Sequence, residues 1–403
     1  MQRDLPPLDP FAHLKDKRIV LVSHDLAPYG SQLLLIETAV KLRDAGAFVH
    51  VVTLANDARP GDLAARNNVA LVPLAESFRQ CASADLVIAN TAVAAGWVDT
   101  YLQDHPLGAR SLIWWIHEID ARFYADRMHS LGRVAIALFD SQASLRSWKE
   151  VGVTLPTSTR VIHLAVTHEF AKKAEKSRFR YPATGILQRF GLQPRITRTG
   201  IREKLGIAPD DFAITVIGSL NKGQHLLMRT VSRLLGLYPR LPLKTIVVGF
   251  PSEGQKTDFL NQLDDAGRSA LDAGRAVMAA DDLAPYYAAA DAFVMNSQGL
   301  GENFGRVTIE AMIFKLPILG TDAGGTPEIV EHGVTGLLHP VGIEGQDQLA
   351  DNILTLMNNR DKAKAMGQIG SRRAKEKFNA IRFDAEFASS IQKVLAAAGS
   401  GRS

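Results

Sequence analysis

Cysteine is almost missing from this chain: there is one, Cys81, among 403 residues. A lone thiol excludes an internal disulfide and is compatible with a reducing compartment. Long apolar runs are missing too. None approaches the roughly 20 residues that a helix needs to cross a bilayer. The opening stretch, MQRDLPPLDPFAHLKDK, holds no apolar signal core, so a cytoplasmic protein is expected. Low-complexity tracts are absent, and apolar residues make up 46% of the chain, near the globular average, which argues against disorder. The net charge is only +4, and no RNA- or DNA-binding signature accompanies it, so no nucleic-acid partner is expected. No Asp-x-Asp stands at an expected strand end, and no metal or other cofactor is implied. Asp281-Asp282 reads as the cap of a helix start.

What is present is a repeated alternation. A chain of this length suits two domains of similar size. RIVLVS at Arg18 to Ser23 is a β-rich run, followed by the loop HDLAPYGSQ, a helical pattern ending at Gly46, and a second strand from Phe48 to Leu54. That is a βαβ unit, the mark of a parallel sheet covered by helices. Further strands are expected at Val69 to Leu74, Asp85 to Asn90, Ser111 to His117, Val134 to Asp140 and Arg160 to Val166. A second set follows at Phe212 to Ser219, Lys244 to Phe250, Arg275 to Ala279, Ala292 to Ser297 and Pro317 to Thr321, and an amphipathic helix closes the chain from about Ile381 to Ala398. The pattern is α/β, with one doubly wound domain over 1–166 and another over 201–380. Ligands of such sheets bind beyond the carboxyl ends of the strands, and with two halves the natural site is the cleft between them.

Between them, 167–200 is basic. From Ala171 to Gly200, Lys172, Lys173, Lys176, Arg178, Arg180, Arg189, Arg195 and Arg198 are opposed only by Glu175. Two readings stay open: a surface that attracts phosphates of an anionic membrane, or a solvated linker or insertion.

The most informative segment runs from Asn296 to Pro340. Glu302 and Glu310 stand with seven residues between them, an Asn-Phe-Gly turn in the gap, and a second glycine turn follows at Gly324-Gly325-Thr326-Pro327-Glu328. A loop breaking into a helix presents backbone N–H groups that hold phosphates. With the helix starting near Gly305, Glu302 lies in the loop and Glu310 more than one turn inside. At about 1.5 Å of rise per residue the two acids can bracket a ligand roughly 10 Å long, gripped at its middle by the helix tip. A nucleoside diphosphate sugar has that layout.

This constellation resembles the retaining glycosyltransferases of the GT-B fold, family 4 (group 1). The family pattern of Ser, Glu, seven residues, Glu, Ala-Met, Pro and Gly-Gly-x-Pro-Glu reads here as Ser297, Glu302, Glu310, Ala311-Met312, Pro317 and Gly324 to Glu328. The resemblance implies two Rossmann-like domains facing across a cleft, 1–166 for the acceptor and 201–380 for the nucleotide sugar, with the helix within 381–403 returning to the first. It implies transfer of a sugar from a nucleotide-sugar donor, commonly a UDP-sugar, to a hydroxyl of a glycan or lipid-linked acceptor, as in cell-surface polysaccharide assembly. The family uses front-face attack with retention, and the departing phosphate takes the acceptor proton.

Residue by residue, the resemblance places Lys222 on the diphosphate, following Gly218 and Ser219 in a loop where the family's arginine is replaced by Ser219. Arg306 is the nearest substitute cation. It places Glu310 on the ribose, Glu302 on the donor sugar, and Asn303, Phe304, Gly305, Arg306 and Val307 beside sugar or phosphate. Backbone around Val277 and Met278 meets the base. In the first half, Gly30 and Ser31 stand for the family's glycine loop, and His117, followed by Glu118, stands at the sugar end of the cleft. Ser141 is a further cleft-facing candidate. Glu302, Lys222 and His117 are the expected catalytic residues. Gly324 and Gly325 are expected to serve a tight turn, and Glu328 to buttress it. The rival readings are a nucleotide-sugar epimerase, also built of two Rossmann-like halves, and a non-catalytic sugar-nucleotide-binding subunit.

Overall fold

The computed structural model describes residues 9–27, 30–55, 61–180, 194–218, 222–250, 253–261, 263, 265–272, 275–278 and 282–399. The chain forms two compact units, Met1–Leu164 with Ile381–Ser403, and Ala165–Ala380.

The first unit holds a seven-stranded parallel sheet. Its strands are β1 (Arg18–Ser23), β2 (Phe48–Thr53), β3 (Ala70–Val72), β4 (Leu86–Asn90), β5 (Leu112–Ile116), β6 (Ile136–Phe139) and β7 (Thr159–Val161). They lie in the order β3-β2-β1-β4-β5-β6-β7. β4, β5 and β6 are buried at every position, because helices cover both faces, so these strands are continuous apolar runs instead of alternating ones. Several strands are shorter than the sequence suggests, β3 and β7 among them. β3 stops before Pro73, which lacks the N–H a ladder needs. The chain leaves the sheet edge soon after Val161, and Val166 instead bridges Asn379 within the second unit.

The last helix, Ala380–Gly399, packs on the first sheet. Phe383 and Phe387 lie 5.9 and 5.0 Å from the Trp115 ring, and Lys41 holds Asp384 at 2.6 Å.

The second unit opens with a two-stranded antiparallel pair, β8 (Phe179–Arg180) and β9 (Arg195–Ile196). Its main sheet is six-stranded and parallel: β10 (Phe212–Ile217), β11 (Leu243–Phe250), β12 (Arg275–Met278), β13 (Ala292–Met295), β14 (Ile318–Thr321) and β15 (Gly336–His339), ordered β12-β11-β10-β13-β14-β15. β15 was not expected. Its four residues, GLLH, are too few and too close to a glycine turn to stand out. The described part of 167–200 belongs to this second unit and carries helices His168–Lys173 and Arg198–Lys204, capped by Thr167 and Thr197.

In each sheet the strand order reverses once, between β1 and β4 and between β10 and β13. Adjacent connections leave in opposite directions there, which opens a crevice at the carboxyl ends of the two strands.

Candidate functional site

At the β10/β13 reversal the chain brings together residues 80 positions apart: the Lys222 ammonium, after β10, contacts the Glu302 carboxylate, after β13. Ser297 Oγ donates to the same Glu302 oxygen at 3.2 Å. Both ionic side chains are mostly covered, with 17% of Lys222 and 15% of Glu302 exposed.

Two glycines make this approach possible. Gly223 has φ +71°, and a Cβ there would lie 2.0 Å from the carbonyl oxygen of Asn296, so any side chain would push the Lys222 turn off β13. Gly324 has φ +62°, and its Cβ would lie 2.2 Å from the Glu302 carbonyl oxygen. That carbonyl accepts from Gly325 N at 2.8 Å, so the second glycine turn is the clamp that fixes the Glu302 loop.

Asn296, fully buried, braces the other side. Its Nδ2 donates to the Gly223 carbonyl at 3.2 Å, and its Oδ1 accepts from His339 Nε2 at 3.0 Å. His339 Nδ1 is buried without a partner. A proton there would place an unsatisfied charge in the interior, and burial lowers the His339 pKa to about 4.

The helix Arg306–Ile313 starts at Gly305, which has φ +90° and leaves the helix tip without a side-chain cap. Glu310 sits one turn in and is 6% exposed. Tyr287 Oη donates to its Oε2 at 2.9 Å, and Arg306 Nε lies 3.3 Å from its Oε1. Arg306 is thus engaged along its own helix. Burial, and then the neighbouring Glu310 carboxylate, push the Tyr287 pKa well up, so it stays a neutral donor. Sequence reasoning missed Tyr287. It lies in the unremarkable run APYYAA, and only packing reveals its partner.

In the first unit, the β1/β4 reversal carries a different cluster. His24, just after β1, meets Thr91, just after β4, with Nδ1 3.0 Å from Thr91 Oγ1. Gln32 Nε2 lies 3.1 Å from His24 Nε2 and donates to Asp25 at 2.6 Å. Burial lowers the His24 pKa, against the pull of Asp25. Thr91 has φ +72°, a region that β-branched residues avoid. It is held there because its N–H donates to the Trp115 carbonyl and its carbonyl accepts from Trp114 Nε1, at 2.8 and 2.9 Å.

His117 ends β5 beside this cluster. Its Nδ1 lies 2.7 Å from Asp140 Oδ2, and its Nε2 lies 2.8 Å from Asn90 Oδ1. The Asp140 carboxylate holds the proton on Nδ1. Burial alone would lower its pKa, but Asp140 and then Glu118 outweigh that and raise it. Trp115 Nε1 fixes Asp140 at 2.9 Å. The Glu118 carboxylate accepts from the backbone N–H groups of Ala92 and His117, and its burial raises its pKa. Asn90 and Asp140 were missed, although each ends an expected strand, where such a partner is to be sought.

The remaining expected residues fall as follows. Gly30 opens the helix Gly30–Asp44, and Ser31 Oγ donates to Gln32 at 2.8 Å. Gly218 ends β10, with its carbonyl accepting from Gln224 at 3.3 Å, whereas Ser219 lies outside the described residues. Val277 and Met278 belong to β12. Asn303 lies in the loop before the helix tip. Phe304 is buried against Phe378, which leaves only its backbone for a ligand, and the Val307 carbonyl accepts from Tyr287 at 3.2 Å. Ser141 caps the helix Gln142–Glu150, its Oγ accepting from Ser144 N. Asp282 accepts from Ala284 N at 3.2 Å at the start of Ala284–Ala289. Among the described residues, no group of three or more His, Cys, Asp or Glu could hold a metal.

Comparison with known proteins adds a family. The family model "Glycosyl-transferase family 4" matches residues 15–178, most of them in the first unit, and "Glycosyl transferases group 1" matches 211–359 within the second, so that together they take in most of the chain. The chain is 32% identical over 177 residues to a D-inositol 3-phosphate glycosyltransferase of Nocardia farcinica, covering 42% of this chain and 38% of that one. It is also 32% identical over 163 residues to a GDP-mannose-dependent alpha-(1-6)-phosphatidylinositol monomannoside mannosyltransferase of Mycobacterium tuberculosis, covering 35% of this chain and 41% of that one. The matched stretches thus span roughly two fifths of these relatives' own lengths. Among solved structures, Anabaena Alr3699/HepE in complex with UDP and glucose superposes with a TM-score of 0.75 at 21% identity, covering 93% of this chain and 99% of that one. The paired parallel sheets and the two matched models agree: the chain belongs to the family 4, group 1 glycosyltransferases and has the GT-B fold.

Proposed function

We propose that the protein transfers a sugar from a nucleotide-sugar donor to a hydroxyl of a glycan or lipid-linked acceptor, with retention of configuration and without a metal, in the assembly of a cell-surface polysaccharide. The observation that carries this reading is the Lys222–Glu302 pair at the β10/β13 reversal, beside the uncapped tip of the Glu310 helix. A diphosphate entering there takes the Lys222 ammonium from Glu302. The released carboxylate then accepts hydroxyls of the donor sugar, while Glu310, oriented by Tyr287 and Arg306, accepts from the ribose.

The bond from the anomeric carbon to the diphosphate oxygen breaks as the acceptor oxygen attacks from the same face. The acceptor proton passes to that departing oxygen. Negative charge grows on the diphosphate, where Lys222 and the helix dipole stabilise it, and this removes the need for a divalent cation. Glu302 and Glu310 do not form the nucleophile-and-acid pair of a retaining glycosidase, because one is committed to the ribose. In the first unit, His117 is a positioning residue, because both of its ring nitrogens are engaged by Asp140 and Asn90.

Alr3699/HepE holds UDP, whereas the mycobacterial relative is named for GDP-mannose, and our reading favours UDP. A thermal-shift screen of UDP, GDP and ADP decides the base, because a ligand that binds only the folded state raises the melting temperature. Transfer from the matching labelled nucleotide sugar then tests the activity. If no nucleotide shifts the melting temperature and no donor is consumed, the reading fails.

A further inference from the structure

The basic stretch acquires a shape in the second unit. Lys173, Lys176, Arg178, Arg180 and Arg195 line a cavity of about 320 Å³, within the usual range for small-ligand pockets. Two carboxylates share it, Glu169 and Asp282, and Asp282 is taken up by Lys173 at 3.1 Å. Among the described residues, no carboxylate pairs with Lys176, Arg178, Arg180 or Arg195.

The backbone sharpens the point. β8 and β9 pair with Arg180 directly opposite Arg195. Like charges facing each other across an antiparallel pair repel, and that repulsion is relieved when an anion sits between them. Two guanidinium forks present parallel N–H donors that match the oxygens of a phosphate. Next to Arg180, Phe179 turns inward and lies 6.0 Å from Phe314, which stacks at 5.5 Å on Tyr287, the donor to Glu310. The cavity wall is therefore anchored on the rings that orient Glu310.

We propose that this cavity is a second anion site, distinct from the Lys222 site, that takes a small phosphate- or diphosphate-bearing molecule. A concave ring of cations suits a compact anion better than the flat face of a bilayer. The proposal stands whether or not Lys222 holds a donor.

Inorganic pyrophosphate, titrated calorimetrically at low ionic strength, tests it. The full chain, Lys222→Ala, and Lys222→Ala combined with Arg180→Ala and Arg195→Ala are compared. The added changes remove exposed side chains, and circular dichroism checks that the fold survives. Lys222→Ala should keep one pyrophosphate site and gain melting temperature on binding. The triple variant should bind at least tenfold more weakly and show no such gain. Equal binding by the two variants overturns the proposal. Vesicles of phosphatidylcholine with phosphatidylglycerol separate the sources of phosphate. Vesicle binding that needs Arg180 and Arg195, with no pyrophosphate bound by Lys222→Ala, would also overturn it and assign the surface to a membrane.

Discussion

Each unit buries a histidine near the end of its sheet, and the pKa values of the two are shifted in opposite directions. His117 in the first unit lies between Asp140 and Asn90, and its pKa is raised. His339 in the second meets only the amide oxygen of Asn296, and its pKa falls to about 4. Burial pushes both downward, so the sign is decided by whether a carboxylate is within reach. In the first unit the carboxylate raises the histidine's pKa, whereas in the second the histidine's pKa is lowered beside Asn296, which braces the Gly223 turn, and the nearby cation is Lys222.

The largest expected effect breaks the first half of this contrast. His117→Ala leaves Asp140 buried without its ionic partner, and stability should fall by about 3–5 kcal/mol in denaturant unfolding. The sign with pH is fixed. A raised pKa means that the His117 contribution is complete below its ordinary value and is lost as pH rises through the folded value, so the cost of the substitution should shrink in alkali.

His339 should behave in the opposite way. Its stabilisation is present above pH 6.5 and is lost as pH falls toward about 4. At about 1.4 kcal/mol per pKa unit, roughly 3 kcal/mol is at stake. His339→Leu should flatten the decline in urea stability between these two values. A decline as steep as that of the parent protein would remove His339 as its source.

In the second unit the charged pair is expected to govern turnover and not stability. Lys222→Ala and Glu310→Ala should each lower turnover by about a hundredfold or more, near 2.7 kcal/mol of transition-state stabilisation, with the unfolding transition kept. Near-parent rates in either variant would count against the donor site. The smallest effect sharpens the contrast from the other side: Ser141→Ala removes the cap of Gln142–Glu150 in the first unit and should cost about 1 kcal/mol, read from the same unfolding curves.

The two units also differ in how much of them could be read in advance. The second unit's candidate site is written in short motifs, with glycines where backbones touch and acids at a fixed offset. Glu302, Glu310 and Gly324-Gly325 stand out by their spacing, and Lys222-Gly223 by resemblance to the family. The first unit's cluster uses one residue from each of several strand ends, His24, Asn90, His117 and Asp140, and sequence distance carries no trace of their meeting. Only His117 was singled out, and its partners were not. Tyr287 escaped for the same reason, as did β15, whose four residues are recruited by the neighbouring β14.

The sequence by itself determined the class of fold, the two-domain plan and the positions of the glycine turns. Local chemistry suffices there: apolar runs long enough only for buried strands, and glycine where the backbone must turn left-handed or come too close for a Cβ. The tertiary structure alone decided which charges meet. It joined Lys222 to Glu302, raised the pKa of His117 and lowered that of His339, and set Arg180 against Arg195. The energy of a charge depends on what lies within a few ångströms in space, and strand order, not chain order, fixes that neighbourhood.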